Sequence, residues 1–259
     1  MEVLNQIASQ IDVLLLIMAR MSGIFLVGPM YSNNAIPRQL KVFLTLLLSI
    51  IVFTGLRLKA PPVPQKLEQF ILLFVSEMVI GLIIGFVAQL TFAAIQVAGQ
   101  ALDMQMGFGI VNVIDPVYGT QAPLMGSFQN LLALLLFMAT NSHHYMIMAL
   151  YQSYEMIPIY GLTEANKATQ MIVDLFGNML ITGVKLAIPV VGALFVAEVA
   201  LGMIARTMPE MQVYFVGIPA KIFIGLVLLI MILPIYLTTM QYLFEGNYQD
   251  TLRLLRLLG

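Results

Sequence analysis

Ionisable side chains interrupt long apolar stretches of this chain, and they are the first candidates for chemistry. A charge in apolar surroundings is costly unless it is paired or hydrated. These residues therefore either form a path for ions or protons, or they pair between helices or subunits. They do not line one face of any single helix, so pairing in assembly is the favoured interpretation. The charges are Arg20, Glu77, Lys185, Glu198 and Arg206, with Asp12 and Lys221 near the ends of such stretches.

A polar stripe is the second candidate. Gln89, Gln96, Gln100 and Asp103 are seven, four and three residues apart along the chain. This spacing places their side chains on one face of a helix. A polar face on an otherwise apolar helix contacts either water or another subunit.

The segment after this stripe combines glycines, apolar side chains and turn residues, and residues 107–121 are called the plug segment below. Its glycines loosen the backbone, and its Asp-Pro pair favours a turn. Irregular backbone at membrane depth is tolerated only where protein buries it or where it lines a watery cavity. The pattern predicts a plug on a passage, the alternative being a re-entrant loop that seals a helix bundle. The plug residues are Gly107, Phe108, Gly109, Ile110, Val111, Asn112, Val113, Ile114, Asp115 and Pro116.

Signals for catalysis are weak. His143 and His144 are adjacent and are expected to point to different faces of a helix, unlike the i, i+4 pairs that chelate metals. The chain has no Cys and no HExxH, GxSxG or P-loop motif. We predict no enzyme activity, no catalytic residues, no metal and no cofactor. The absence of a Lys/Arg-rich run likewise argues against nucleic-acid binding.

The elements that position these residues are long apolar runs. The chain has 259 residues, of which 60% are hydrophobic and 10% charged, whereas soluble domains carry about 25% charged residues. Two of the runs contain proline, which favours bent helices or hairpins. We predict an all-α membrane protein built from kinked helical hairpins, with residues 246–259 as a short tail. The predicted spans are Ile11–Met30, Leu40–Leu58, Phe70–Ile95, Leu124–Leu150, Met171–Arg206 and Val213–Phe244.

Three long stretches resemble a known family. They read GQALDMQMGFGIVNVIDPVYGTQAP, FMATNSHHYMIMALYQSYEMIP and AEVALGMIARTMPEMQVYFVGIPAKIFIGL. They are similar to the FliR family of the flagellar export apparatus and to its injectisome counterparts, called SctT. The resemblance extends over nearly the whole chain and favours the flagellar branch.

The resemblance implies that residues 1–259 form a single domain of the type III export gate. A FliR-like subunit joins several copies of FliP and FliQ in a tapering helical channel, in one copy per gate. The gate works with FlhA and FlhB in the bacterial inner membrane, at the flagellar basal body, and passes unfolded export substrates. The family's plug matches residues 107–121 here, with Phe108 and Ile110 as the apolar obstruction.

A stand-alone secondary transporter is the alternative. It would use Glu77, Lys185 and Glu198 as coupling groups within the membrane. This hypothesis predicts transport by the chain alone, whereas the export-gate hypothesis predicts dependence on FliP and FliQ.

Overall fold

The computed structural model describes residues 2–32, 36–55, 66–109, 123–159, 165–208 and 213–259. Seven α-helices lie wholly within these residues, which contain no strand, so the all-α prediction is confirmed. The helices are α1 (Glu2–Val27), α2 (Arg38–Gly55), α3 (Leu67–Met106), α4 (Leu124–Ala139), α5 (Ser142–Met156), α6 (Ala165–Thr207) and α7 (Val213–Leu258).

Four of these helices are long and apolar enough to cross a membrane. They are α2, α3, α6 and α7, and the pair α4–α5 forms a fifth crossing if it acts as one broken span. The prediction of a membrane protein with several spanning helices is thereby confirmed. The first predicted span, Ile11–Met30, overlaps α1, which begins earlier and ends at Val27, and it stays a prediction as a crossing.

The two runs with internal prolines form continuous helices and not hairpins. Pro189 lies inside the 43 residues of α6, and Pro219 and Pro234 lie inside the 46 residues of α7. A proline removes one backbone donor and leaves the carbonyl four residues before it without that partner. Both helices nevertheless continue through these prolines.

The predicted span Leu124–Leu150 is broken at Thr140-Asn141. The Thr140 amide still donates to the Leu136 carbonyl, but Asn141 has a φ of 56°. Asparagine tolerates this left-handed conformation better than most residues, so the Thr-Asn-Ser sequence ends α4 and starts α5.

The predicted tail at residues 246–259 is wrong, because this stretch is the last part of α7. Leu254, Leu255 and Leu258 are buried in a hydrophobic core, whereas Arg253 and Arg256 are exposed. The spacing of the leucines gives one apolar helical face, which the core requires.

The chain divides into two compact units. The first unit comprises Met1–Leu90, Asn141–Leu175 and Phe244–Gly259, and the second comprises Thr91–Thr140 and Phe176–Leu243. The core of the first unit joins α1, α3, α5 and α7 through side chains such as Leu16, Ile84, Leu150 and Leu255. A core cluster of the second unit contains Leu102, Met106, Met125, Val190 and Leu194.

Glycines bring α1 and α3 into close backbone contact in the first unit. A Cβ atom on Gly81 would collide with the Arg20 carbonyl oxygen, and one on Gly23 would lie 2.7 Å from the Met78 carbonyl oxygen. One turn further, a Cβ on Gly85 would lie 3.2 Å from the Gly28 amide nitrogen. Small residues at this spacing allow helices to approach closely, and here the contact lies within one chain.

The replacement Gly81→Ala tests this contact. The added methyl group has no space beside Arg20, so we expect a loss of about 1–3 kcal/mol in the free energy of unfolding. Thermal unfolding of the purified protein in detergent measures this loss. Gly192→Ala is the matched control, because no heavy atom lies within 4 Å of its added Cβ. Equal effects of the two replacements would contradict the proposed contact.

Candidate functional site

Three residues of the plug segment, Gly107, Phe108 and Gly109, lie within the described part of the chain. The remaining plug residues lie outside it, so their role stays a prediction. These are Ile110, Val111, Asn112, Val113, Ile114, Asp115 and Pro116. The described residues show how the chain enters the segment at the end of α3 and where it continues at the start of α4.

Helix α3 ends at Met106 in a defined capping structure. The Phe108 amide donates to the Asp103 carbonyl at 3.0 Å, and the Gly107 amide donates to the Met104 carbonyl at 3.3 Å. This pair of bonds is the Schellman motif, which needs a left-handed residue just after the helix. Gly107 supplies it with a φ of 91°. The first plug residue therefore stops the helix, and the backbone leaves α3 in a fixed direction.

The Asp103 carboxylate joins the two helices on either side of the plug segment. Its Oδ1 accepts from the Met125 amide at 2.9 Å, and its Oδ2 accepts from the Gly126 amide at 3.1 Å. These amides belong to the first turn of α4, where no carbonyl within the helix can accept from them. A carboxylate is also favoured there by the positive end of the helix dipole. Asp103 is thus a cap from another helix, because residue 123 at the N-cap is a proline.

Two glycines make this cap possible. A Cβ atom on Gly99 would collide with the Gly126 Cα, and would lie 2.9 Å from Gln129 Oε1. Helices α3 and α4 therefore touch backbone to backbone one turn before Asp103. Neither glycine was identified from the sequence, although Gly99 precedes Asp103 by four residues and so shares its helical face.

The predicted polar stripe does not share one environment. Asp103 is buried, Gln89 is half-buried, and Gln96 and Gln100 are exposed. The Oε1 atom of Gln89 is buried and has no hydrogen-bond partner among the described residues. Correct helical spacing therefore places the residues on one face without fixing what each of them contacts.

The methionines before the plug segment face opposite sides of α3. Met104 is 73% exposed, whereas Met106 is fully buried in the core of the second unit. Met106 fits against α7 where a Cβ on Gly225 would lie 2.7 Å from its Cε atom. Phe108 packs partly against the same core cluster.

Arg20 and Glu77 form a buried ion pair in the first unit. Arg20 Nε donates to Glu77 Oε2 at 2.7 Å, and both side chains are almost fully buried. The other guanidinium nitrogens donate to Ser153 Oγ at 3.0 Å and to the Ile157 carbonyl at 3.1 Å. The Tyr154 ring lies 4.1 Å from the guanidinium carbon, within range of a cation–π contact. The sequence did not identify the three partners on and just after α5.

The other three predicted charges differ from this pair. Lys185 and Arg206 are exposed, and the Glu198 side chain is 54% exposed beside Lys221. Each of the three lies on an outward face of α6 in this single chain, so none of them is paired within a core as Arg20 and Glu77 are. A role for them in assembly stays a prediction.

His143 and His144 are neighbours in the first turn of α5. Their rings contact each other, with centroids 4.1 Å apart. Among the described residues, no group of three or more His, Asp or Glu side chains could hold a metal ion.

The energetic coupling between Arg20 and Glu77 is testable by a double-mutant cycle. Either Arg20→Met or Glu77→Met leaves a buried charge without its partner, which costs about 3–5 kcal/mol. The double variant removes both charges, so we expect it to lose clearly less stability than the sum of the two single losses. Thermal unfolding in detergent measures all four proteins, and additive losses would show that the pair is not coupled.

The cap on α4 gives a second prediction. Asp103→Ala removes the acceptor of two amides and should cost about 1–2 kcal/mol, whereas Asp103→Asn should cost less. Hydrogen exchange should accelerate at the Met125 and Gly126 amides. Gln100→Ala, an exposed replacement on the same helix, should change stability by less than about 0.5 kcal/mol. Unchanged exchange in Asp103→Ala would rule out the cap.

Comparisons with known proteins identify the family. The profile of the family described as "Bacterial export proteins, family 1" matches residues 11–246. The chain is 32% identical to the flagellar biosynthetic protein FliR of Bacillus subtilis (strain 168) over 262 aligned residues, which cover 99% of each chain.

Two further relatives carry the same name. FliR of Caulobacter vibrioides is 30% identical over 222 residues, covering 86% of this chain and 88% of the relative. FliR of Escherichia coli (strain K12) is 26% identical over 226 residues, covering 87% and 86% of the two chains. The family profile includes the positions of Arg20, Glu77 and Asp103, and the chain therefore belongs to the FliR family of bacterial export proteins.

Proposed function

We propose that this chain is a subunit of the flagellar type III export gate, present as a single copy. The observation that carries this proposal is membership of the FliR family along residues 11–246. The chain would form the protein-conducting channel with FliP and FliQ and work with FlhA and FlhB. Unfolded flagellar export substrates would pass through it, across the bacterial inner membrane at the basal body.

The surface of the second unit suits a subunit surrounded by apolar neighbours. Phe195, Phe223 and Met231 on α6 and α7 are large apolar side chains that are largely exposed. A protein in water rarely exposes so much apolar surface without a partner. Lipid and the helices of other gate subunits are the neighbours that this proposal supplies.

Lys185 is our candidate for a contact between subunits. It is exposed on α6, and its neighbours Ile181, Val184 and Ile188 are exposed apolar residues. A lone cation within such a surface needs a counter-charge or water. Arg206, near the end of the same helix, is a second candidate of this kind.

We propose that residues 107–121 plug the closed channel as a passive obstruction. The described end of α3 supports this proposal, because Gly107 fixes the exit from the helix and Asp103 ties it to the start of α4. A segment whose two ends are held together can obstruct a passage without being pulled through it. Apolar side chains such as Phe108 would limit the leakage of water and ions.

The geometry does not favour the stand-alone transporter. Glu77, one of its three coupling groups, is bonded to Arg20 inside the core of the first unit. A coupling carboxylate must exchange its proton or ion with water, and this contact withholds Glu77 from that exchange. We propose that the chain acts without catalysis and that other components supply the energy of export.

Deletion of residues 109–119 tests the plug. We expect the assembled gate to leak ions across the inner membrane, because the obstruction is gone while Asp103 and the start of α4 remain. Ion leakage is measured in cells by the loss of membrane potential, and co-purification with FliP and FliQ shows that the gate has assembled. A gate carrying Gly192→Ala is the control and should not leak. An assembled deletion variant with normal leakage would refute the plug.

A further inference from the structure

Three polar side chains from three helices meet at the last turn of α3 in the second unit. Gln105 Nε2 donates to Glu198 Oε2 at 2.9 Å, and Lys221 Nζ lies 3.5 Å from Glu198 Oε1. Each oxygen of one carboxylate therefore contacts a different helix. We propose that Glu198 is a positioning residue that holds the end of α3 against α6 and α7, and so fixes where the export gate's obstruction begins. This inference rests on the proposed function.

Burial makes Lys221 depend on Glu198. The Lys221 side chain is 15% exposed, whereas that of Glu198 is 54% exposed. An ammonium group withdrawn from water requires a counter-charge. Among the described residues, Glu198 is the acidic group in ion-pair contact with Lys221. Removal of the Glu198 charge therefore leaves Lys221 unbalanced beside α3.

The last turn of α3, which contacts Glu198, also contacts two other helices, and we call this meeting point the junction. Asp103 bonds α4, Gln105 bonds Glu198 on α6, and Met106 fits against Gly225 on α7. Lys221 and Gly225 are four residues apart, so one face of α7 presents both of them. Three residues of this last turn thus contact three other helices, and Gly107 directly follows Met106.

The contacts of Glu198 with Gln105 and Lys221 are easier to break than the other contacts around this turn. Met106 is fully buried and Asp103 is buried, whereas Glu198 is half in solvent. Exposed ion pairs are weak and are screened by salt. The Glu198 contact is therefore the part of the junction that an incoming chain or a change in ionic strength can break without unfolding the core.

Charge replacement and charge exchange test the proposal in the assembled gate. The single variants are Glu198→Gln and Lys221→Gln, and the double variant exchanges the charges as Glu198→Lys with Lys221→Glu. Hydrogen exchange of a peptide covering residues 100–108 reports on the end of α3, and loss of membrane potential reports on leakage. We expect each single variant to exchange about 1.5- to fivefold faster, as for the loss of one partly exposed ion pair, and to leak. The exchanged pair should return both measurements towards those of the unaltered gate.

The control is an ion pair elsewhere on α7 whose cation is far more exposed than Lys221. Arg253 Nη1 lies 3.6 Å from Asp250 Oδ1, and the Arg253 side chain is 71% exposed. Arg253→Gln should alter neither the exchange at residues 100–108 nor the leakage. Restoration by the exchanged pair distinguishes a specific contact from a general loss of stability.

Three results would overturn the proposal. The first is normal exchange in both single variants, and the second is exchange in the double variant as fast as in the singles. The third is faster exchange without leakage in a gate that does leak when residues 109–119 are deleted. If that deletion itself causes no leakage, the plug proposal fails, and the exchange data still decide whether Glu198 holds α3.

Discussion

A guanidinium group at the centre of an apolar core organises the first unit. Arg20 contacts Glu77 on α3, Ser153 and Tyr154 on α5, and the Ile157 carbonyl just after α5. A buried charge is tolerable only when it is paired and its donors are satisfied, so these elements must meet in one register. The glycine contact between Gly81 and the Arg20 carbonyl brings α1 and α3 close enough for the pair to form. Charge and close packing therefore impose the same arrangement of helices.

In the second unit, buried backbone groups likewise need hydrogen-bond partners. The first amides of α4 lack acceptors within their own helix, and the Asp103 carboxylate accepts from two of them. The close contact of Gly99 with Gly126 sets the distance over which that carboxylate reaches. A buried acid thus serves as a structural tie between the helices that flank the plug segment. In the proposed gate, this tie would hold together the two helices on either side of the plug segment.

The charged residues of the two units show that a charge within an apolar stretch does not by itself indicate transport of ions or protons. Arg20 and Glu77 neutralise each other inside one chain, whereas Lys185 and Arg206 face outwards on α6. None of these arrangements requires proton transfer. They suit a protein that works by packing against neighbouring subunits, as the proposed role in the export gate requires. The weaker contacts of Glu198 add an element that can open without disruption of either core.

Composition and spacing determined the helical class, most of the stretches that can cross a membrane and the polar face of α3, whereas the resemblance of three long stretches indicated the family. The reason is that hydropathy and helical periodicity depend on local order along the chain. Tertiary structure decided the features that depend on neighbours distant in sequence. These are the continuity of α6 and α7 through their prolines, the break at Asn141 and the burial of Leu254, Leu255 and Leu258. The partners of Arg20, the cap formed by Asp103 and the contacts of Glu198 were decided in the same way. The four residues of the polar stripe therefore have three different environments: one is a buried cap, one is a half-buried amide and two are exposed amides. Helical periodicity in the sequence determines which face of the helix a residue lies on, whereas tertiary packing determines what that face contacts.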